Sequence, residues 1–251
     1  AMLISTSSAV HNIAIGVNST PLLVSGTRNI GIGVNTFYAA DNAETDNFAI
    51  GYLAMSDLNH DGATRNIAIG NNAADGMGTV GASIDNIFMG YDAGGGTWTT
   101  AVSSYNVGVG NYVMDAALNG ALYNTAVGYE AATQITAGDS NVMVGYRAGY
   151  VCNSASSNNT YIGFESGGNT GAEQNQNNTA VGSTALKAIT TGGSNTAVGT
   201  GALIACTTGE NNVAIGFQAC DGTDDGLRNV AIGYAAGSAN LQTDNVVIGY
   251  Q

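Results

Sequence analysis

Asn195-Thr196-Ala197-Val198-Gly199, Asn212-Val213-Ala214-Ile215-Gly216 and Asn229-Val230-Ala231-Ile232-Gly233 follow one another at intervals of 17 residues, and reading them decides the fold. Working outward in both directions, the pattern Asn-x-x-(Ile/Val/Met)-Gly occurs fourteen times between Asn12 and Gly249, at spacings of 16 to 20 residues. A fixed period of that length marks a chain built from stacked supersecondary units. The residue before each glycine is Ile, Val or Met, and two positions earlier stands Ile, Val, Phe or Thr. Alternation along a strand puts these two on one face. A single unit cannot bury that face alone, so neighbouring coils supply its partner. The glycine permits the turn that ends the strand. The repeated Asn suits a ladder at the preceding corner, bonding to the coils on either side.

The rest of each unit is expected to carry a second strand. Three residues after the glycine stands Ala in nine of thirteen complete units, and seven after it lie Leu23, Leu58, Met77, Ile135, Cys152, Ile189 and Cys206. Two of the three cysteines thus share a slot with Leu and Ile and are expected to be buried packing residues. The residue between the two apolar strand positions is Ala or Gly in ten of fourteen units, Ala14, Gly31 and Ala197 among them. If the apolar pair points inward, this small residue points outward. Close approach of an identical subunit is the expected reason for its size.

Composition limits the function. The 251 residues include 37 glycines and one proline, Pro21, with five basic side chains against eighteen acidic ones. A net charge of −13 argues against nucleic acid or anionic membrane as the main partner. No apolar run reaches membrane-spanning length, so no membrane insertion of this segment is expected. Residues 1–11 are read as a leader and residues 12–251 as a single repeat domain.

Asn-Val-Ala-Ile-Gly (212–216, 229–233), Asn-Ile-Ala-Ile-Gly (12–16, 66–70) and Asn-Thr-Ala-Val-Gly (124–128, 178–182, 195–199) resemble the head repeats of YadA-type trimeric autotransporter adhesins. They are equally similar to repeats in phage tail fibres and related trimeric bacterial surface fibres. The resemblance covers about residues 12–250. It implies a left-handed parallel β-roll assembled as a homotrimer, an extracellular place on a cell surface or virion fibre, and a role in adhesion. The fold expected is therefore all-β, a parallel β-solenoid of about fourteen coils. The function expected is a non-catalytic adhesive or receptor-binding fibre head or shaft that meets a glycan or protein on a host or prey cell. The alternative is a passive spacer that carries a separate binding tip.

Candidate sites are few. His11 and His60 have no Ser or Cys motif beside them, and Gly-x-Gly runs such as Gly31-Ile32-Gly33 lack a phosphate-loop lysine, so no enzyme is expected. Asp57-Leu58-Asn59-His60-Asp61-Gly62 matches the first half of a calcium loop, with Asp57, Asn59 and Asp61 as oxygen ligands for Ca2+. Position twelve of that loop is Ala68 instead of Glu, and a polar turn is the plainer reading; no other cofactor is expected. The longest coils lie around Gly90, and the interruption Gly94-Gly95-Gly96-Thr97-Trp98-Thr99 holds the only Trp. Trp98 and Tyr105, with Thr97 and Thr99, form the candidate carbohydrate site; the competing reading makes Trp98 a plug between subunits. Aromatics directly after the glycine, such as Tyr129, Tyr146 and Phe164, are expected to stack coil on coil.

Overall fold

Each repeat places one three-residue strand immediately before its glycine. The computed structural model describes residues 9–40, 43–78, 81–98, 101–153, 156–168 and 175–251, and none of these is helical. The chain divides into two compact units, Ala1–Asn124 and Thr125–Gln251. The first holds β1 (Ile13–Ile15), β2 (Ile30–Ile32), β3 (Phe48–Ile50), β4 (Ile67–Ile69), β5 (Ile87–Met89) and β6 (Val107–Val109). The second holds β7 (Thr125–Val127), β8 (Val142–Val144), β9 (Thr160–Ile162), β10 (Thr179–Val181), β11 (Thr196–Val198), β12 (Val213–Ile215), β13 (Val230–Ile232) and β14 (Val246–Ile248). Within each unit successive strands pair in parallel and in full register, as Thr179, Ala180 and Val181 do with Thr196, Ala197 and Val198. The architecture is an all-β parallel β-solenoid.

Glycine ends the strand for two physical reasons, which Gly199 illustrates. Its φ is +133°, and a Cβ placed on it would lie 2.3 Å from the carbonyl oxygen of Gly216 in the next coil. No other residue accepts both the dihedral and the approach.

The expected second strand is replaced by a turn that alternates through the left-handed region. Gln218 and Cys220 have φ of +52° and +53°, and Asn211, just before the ladder Asn, has +59°. A left-handed conformation costs an ordinary residue roughly 1–2 kcal/mol, so something must hold it. Hydrogen bonds between coils do so: Gln218 N donates to Thr200 O at 2.9 Å, Cys220 N to Ala236 O at 3.0 Å and Asn211 N to Gly193 O at 3.0 Å.

The repeated Asn forms the expected ladder inside the solenoid. Asn195 is 1% exposed. Its Nδ2 donates to Asn178 Oδ1 at 3.1 Å and to Gly209 O at 2.8 Å. Its Oδ1 accepts from the backbone N and the Nδ2 of Asn212, at 3.0 and 3.1 Å. Every polar atom of the amide is used, which is what lets the column stay buried.

The two strand faces are reversed relative to the sequence reading. Ala180, Ala197 and Ala214 are fully buried, whereas Val198 and Ile215, each directly after its strand centre, are 37% and 40% exposed. The small middle residue points into the coil, and the Ile/Val pair points out. The reason is interior width. The residue four after the glycine also enters the core, and the two share one volume. Ala180 goes with Leu186, Ala197 with Leu203 and Ala49 with Met55, while Phe88, Met143 and Tyr161 go with Gly94, Gly149 and Gly167. A Cβ on Gly167 would lie 2.1 Å from the Tyr161 ring. Small middle residues are therefore set by the coil's own core and do not report a neighbouring subunit. The slots three and seven after the glycine are buried as expected, from Ala54 and Leu58 to Ala202 and Cys206.

Candidate functional site

Because the strand pair faces outward, the solenoid presents apolar side chains to solvent. In the first unit the row three before the glycine reads Ile13, Ile30, Phe48, Ile67, Ile87 and Val107. In the second it contains Thr125, Thr160, Thr179 and Thr196 among valines. The row directly before the glycine stays Ile, Val or Met throughout. A third row follows the glycine and includes exposed aromatics such as Tyr52, Phe164 and Tyr234 at 49–51%.

These aromatics stack as expected. Tyr129, Tyr146 and Phe164 stack with nearly parallel planes and centroids 5.7 and 5.1 Å apart, and Phe217, Tyr234 and Tyr250 repeat the arrangement at 5.1 and 5.2 Å. Rings stacked this way cover one another's faces and offer mainly edges to solvent. Arg147 adds a guanidinium 5.3 and 4.9 Å from the Tyr146 and Tyr150 ring centres while pairing with Glu130 on the preceding coil. All five cationic side chains are paired between coils: Arg28 with Asp46, Arg65 with Asp85, Arg147 with Glu130, Lys187 with Glu165 and Arg228 with Asp244. Arg28 holds the Asp46 carboxyl below its usual range by hydrogen bonding.

The structure corrects the first candidate site. Trp98 is only 3% exposed. Its ring meets the edge of Phe88 at 5.9 Å, and its Nε1 donates to Gly95 O at 3.3 Å. Phe88 occupies a middle position usually held by Ala, and Gly94 clears space for it, so the Trp98 indole belongs to the core of its own unit. It presents no platform to a sugar. Tyr105 is exposed but sits at the left-handed corner before Asn106, stacked on Tyr123 at 5.0 Å. Thr97 is exposed, and Thr99 lies outside the described residues.

Asp57 and Asp61 are exposed, and Leu58 between them is buried, so the segment is a turn anchored by its leucine. Asp61 Oδ1 accepts from Ala43 N at 3.4 Å, and Ser56 Oγ donates to Asp57 Oδ1 at 3.4 Å. Among the described residues no three His, Cys, Asp or Glu side chains converge on a metal position. Asp57 instead belongs to a group of carboxylates on successive coils. Burial, with Asp92, Asp57 and Asp115 nearby, pushes the Asp75 carboxyl up to about 6. Cys152 and Cys206 are free thiols, fully buried, and burial pushes each up to about 12. Thiols in that state are poor nucleophiles.

Sequence reasoning passed over the outward Ile/Val rows because it assigned them to the core. A partial signal was present: a large middle residue is accompanied by glycine six positions later at Phe88–Gly94, Met143–Gly149 and Tyr161–Gly167. Such an exchange of volume means that those two positions share a core. Compared with known proteins, the chain matches no family model and no curated sequence.

Proposed function

We propose that this chain is a non-catalytic fibre module, adhesive or receptor-binding, displayed on a cell surface or virion and working as a homotrimer. One observation carries the reading: the outward strand face is a repeating apolar surface, with Ile13, Ile15, Met89, Ile162 and Ile215 each 39–57% exposed. Soluble single chains rarely leave contiguous apolar patches of such extent. A second and third copy of the same surface is the simplest cover, since rotational symmetry repeats one patch at every contact. The number three comes from the resemblance of the Asn-x-Ala-Ile-Gly repeats to trimeric fibre proteins. The contact surface is the Ile/Val face and no longer the Ala/Gly column.

Sedimentation equilibrium tests this directly. The parent chain should give about three times the 25.1 kDa chain mass. Ile69→Lys with Ile215→Lys, both on outward positions, should lower the mass to one chain while circular dichroism stays β-rich. A parent that sediments as a monomer at micromolar concentration removes the assembly from the proposal.

A further inference from the structure

We infer that the second unit carries a carbohydrate-binding notch between Phe164 and Phe217, which deepens the adhesive reading above and rests on it. The row after the glycine is aromatic at Tyr129, Tyr146 and Phe164 and again at Phe217, Tyr234 and Tyr250, but the two coils between carry Ser183 and Thr200. Backbone bonds hold the four in one column: Thr184 N donates to Phe164 O at 2.8 Å, Gly201 N to Ser183 O at 2.9 Å and Gln218 N to Thr200 O at 2.9 Å.

The interruption opens two ring faces. Phe164 stacks on Tyr146 with one face, and Phe217 stacks on Tyr234 with one face. The opposite faces look along the column toward each other across Ser183 and Thr200, with no ring against them among the described residues. Three coil steps of about 4.8 Å put the two rings roughly 14 Å apart. After the half-thickness of each ring, about 11 Å remains, enough for a pyranose against each wall.

The floor suits the same ligand. Ser183 and Thr200, the two floor residues, are at least partly exposed. Their hydroxyls make no hydrogen bond within the chain among the described residues, unlike Thr190 and Thr207, whose Oγ1 atoms are bonded to the adjacent coil. The nearby charges, Lys187 and Glu165, neutralise each other at 2.6 Å. Two open aromatic faces, free hydroxyls and no unpaired charge describe a site for a neutral polyol ring. The C–H patch of a pyranose seats on an aromatic face, and its hydroxyls exchange bonds with the floor. Phe164 is 50% and Phe217 43% exposed, in a row beyond the strand that the proposed copy contact uses. Several copies held in one assembly would add avidity on a multivalent surface.

The test compares the parent chain with two variants on a printed panel of neutral oligosaccharides built from glucose, galactose, mannose and N-acetylhexosamines. The best-bound sugar is then titrated by calorimetry. Ser183→Tyr with Thr200→Tyr continues a ring ladder the fold already tolerates on both sides and fills the notch; binding should fall at least tenfold. Ser183→Ala with Thr200→Ala keeps the notch open but removes floor hydroxyls; binding should fall severalfold. Should the filled variant fail to fold, the alanine pair decides by itself. No panel sugar bound by the parent, or equal binding by the parent and the folded variants, overturns the notch. The sedimentation mass of each sample is read in parallel. A filled variant that loses its assembly shows the notch to be a copy–copy contact and also overturns it, whereas a monomeric parent that still binds sugar sinks only the assembly.

Discussion

The two units build their interiors by one rule and their exteriors by different ones. Inside, both run an Asn ladder, a buried residue three after the glycine, most often Ala, and a shared volume between the strand centre and the residue six positions later. Outside, the first unit has Ile, Phe or Val at every strand start, and the second places Thr at β7, β9, β10 and β11. A closed interior in which each atom has a neighbour tolerates only exchanges that conserve volume and hydrogen bonds. The exterior meets water, and its residues are free to serve a partner.

The sharpest way to break this comparison is to violate the interior rule. Gly167→Leu drives a side chain into the Tyr161 ring at a left-handed position and should cost about 4 kcal/mol or abolish folding of that coil. Adding Tyr161→Ala recreates the Ala180 and Leu186 arrangement and should recover most of the loss in a denaturant-melt double-mutant cycle. A double variant no more stable than Gly167→Leu would refute the shared-volume rule.

A smaller effect separates buried from exposed amides. Asn195→Ala leaves the Asn212 backbone N–H without its partner in the core and the Gly209 carbonyl with only the weak Cys206 thiol donor at 3.8 Å, an expected loss of about 2–4 kcal/mol. Asn71, on the exterior row, accepts from Tyr52 N at 3.0 Å in an exposed setting, and its replacement by Ala should cost less than about 1 kcal/mol. Equal losses at the two sites would remove the distinction.

The smallest expected effect belongs to the acidic column of the first unit. Asp75 is raised from 3.8 to about 6, first by burial and then by its carboxylate neighbours. A folded value above the unfolded one gives stability that is complete below about pH 4 and lost as pH rises through about 6. Since the group is partly exposed, solvent screening holds the difference to about 1 kcal/mol. Asp75→Asn should therefore be slightly more stable than the parent at pH 7, and its melting temperature should change less between pH 4 and 7. An identical pH profile in parent and variant would exclude Asp75 as the source.

Much of the fold was legible because a solenoid writes its geometry as a period. The spacing of Asn and Gly located every strand, and the hydrogen-bonding capacity of Asn anticipated the ladder. Trp98 was misplaced for a reason of the same kind. A residue outside the repeat was read as a protrusion, yet the large Phe88 and the small Gly94 had already opened a core position for an aromatic edge.

The amino-acid sequence by itself determined the repeat, the parallel stacking, the glycine at the tightest approach and the burial of Cys152 and Cys206. Only the tertiary structure decided which strand face looks inward. Alternation along a strand says that Ala197 and Val198 point in opposite directions and nothing about which of them meets the core. That choice depends on the width left inside a coil once Leu203 and its equivalents have entered. The width is too small for Ile or Val beside them, so the larger residues face out.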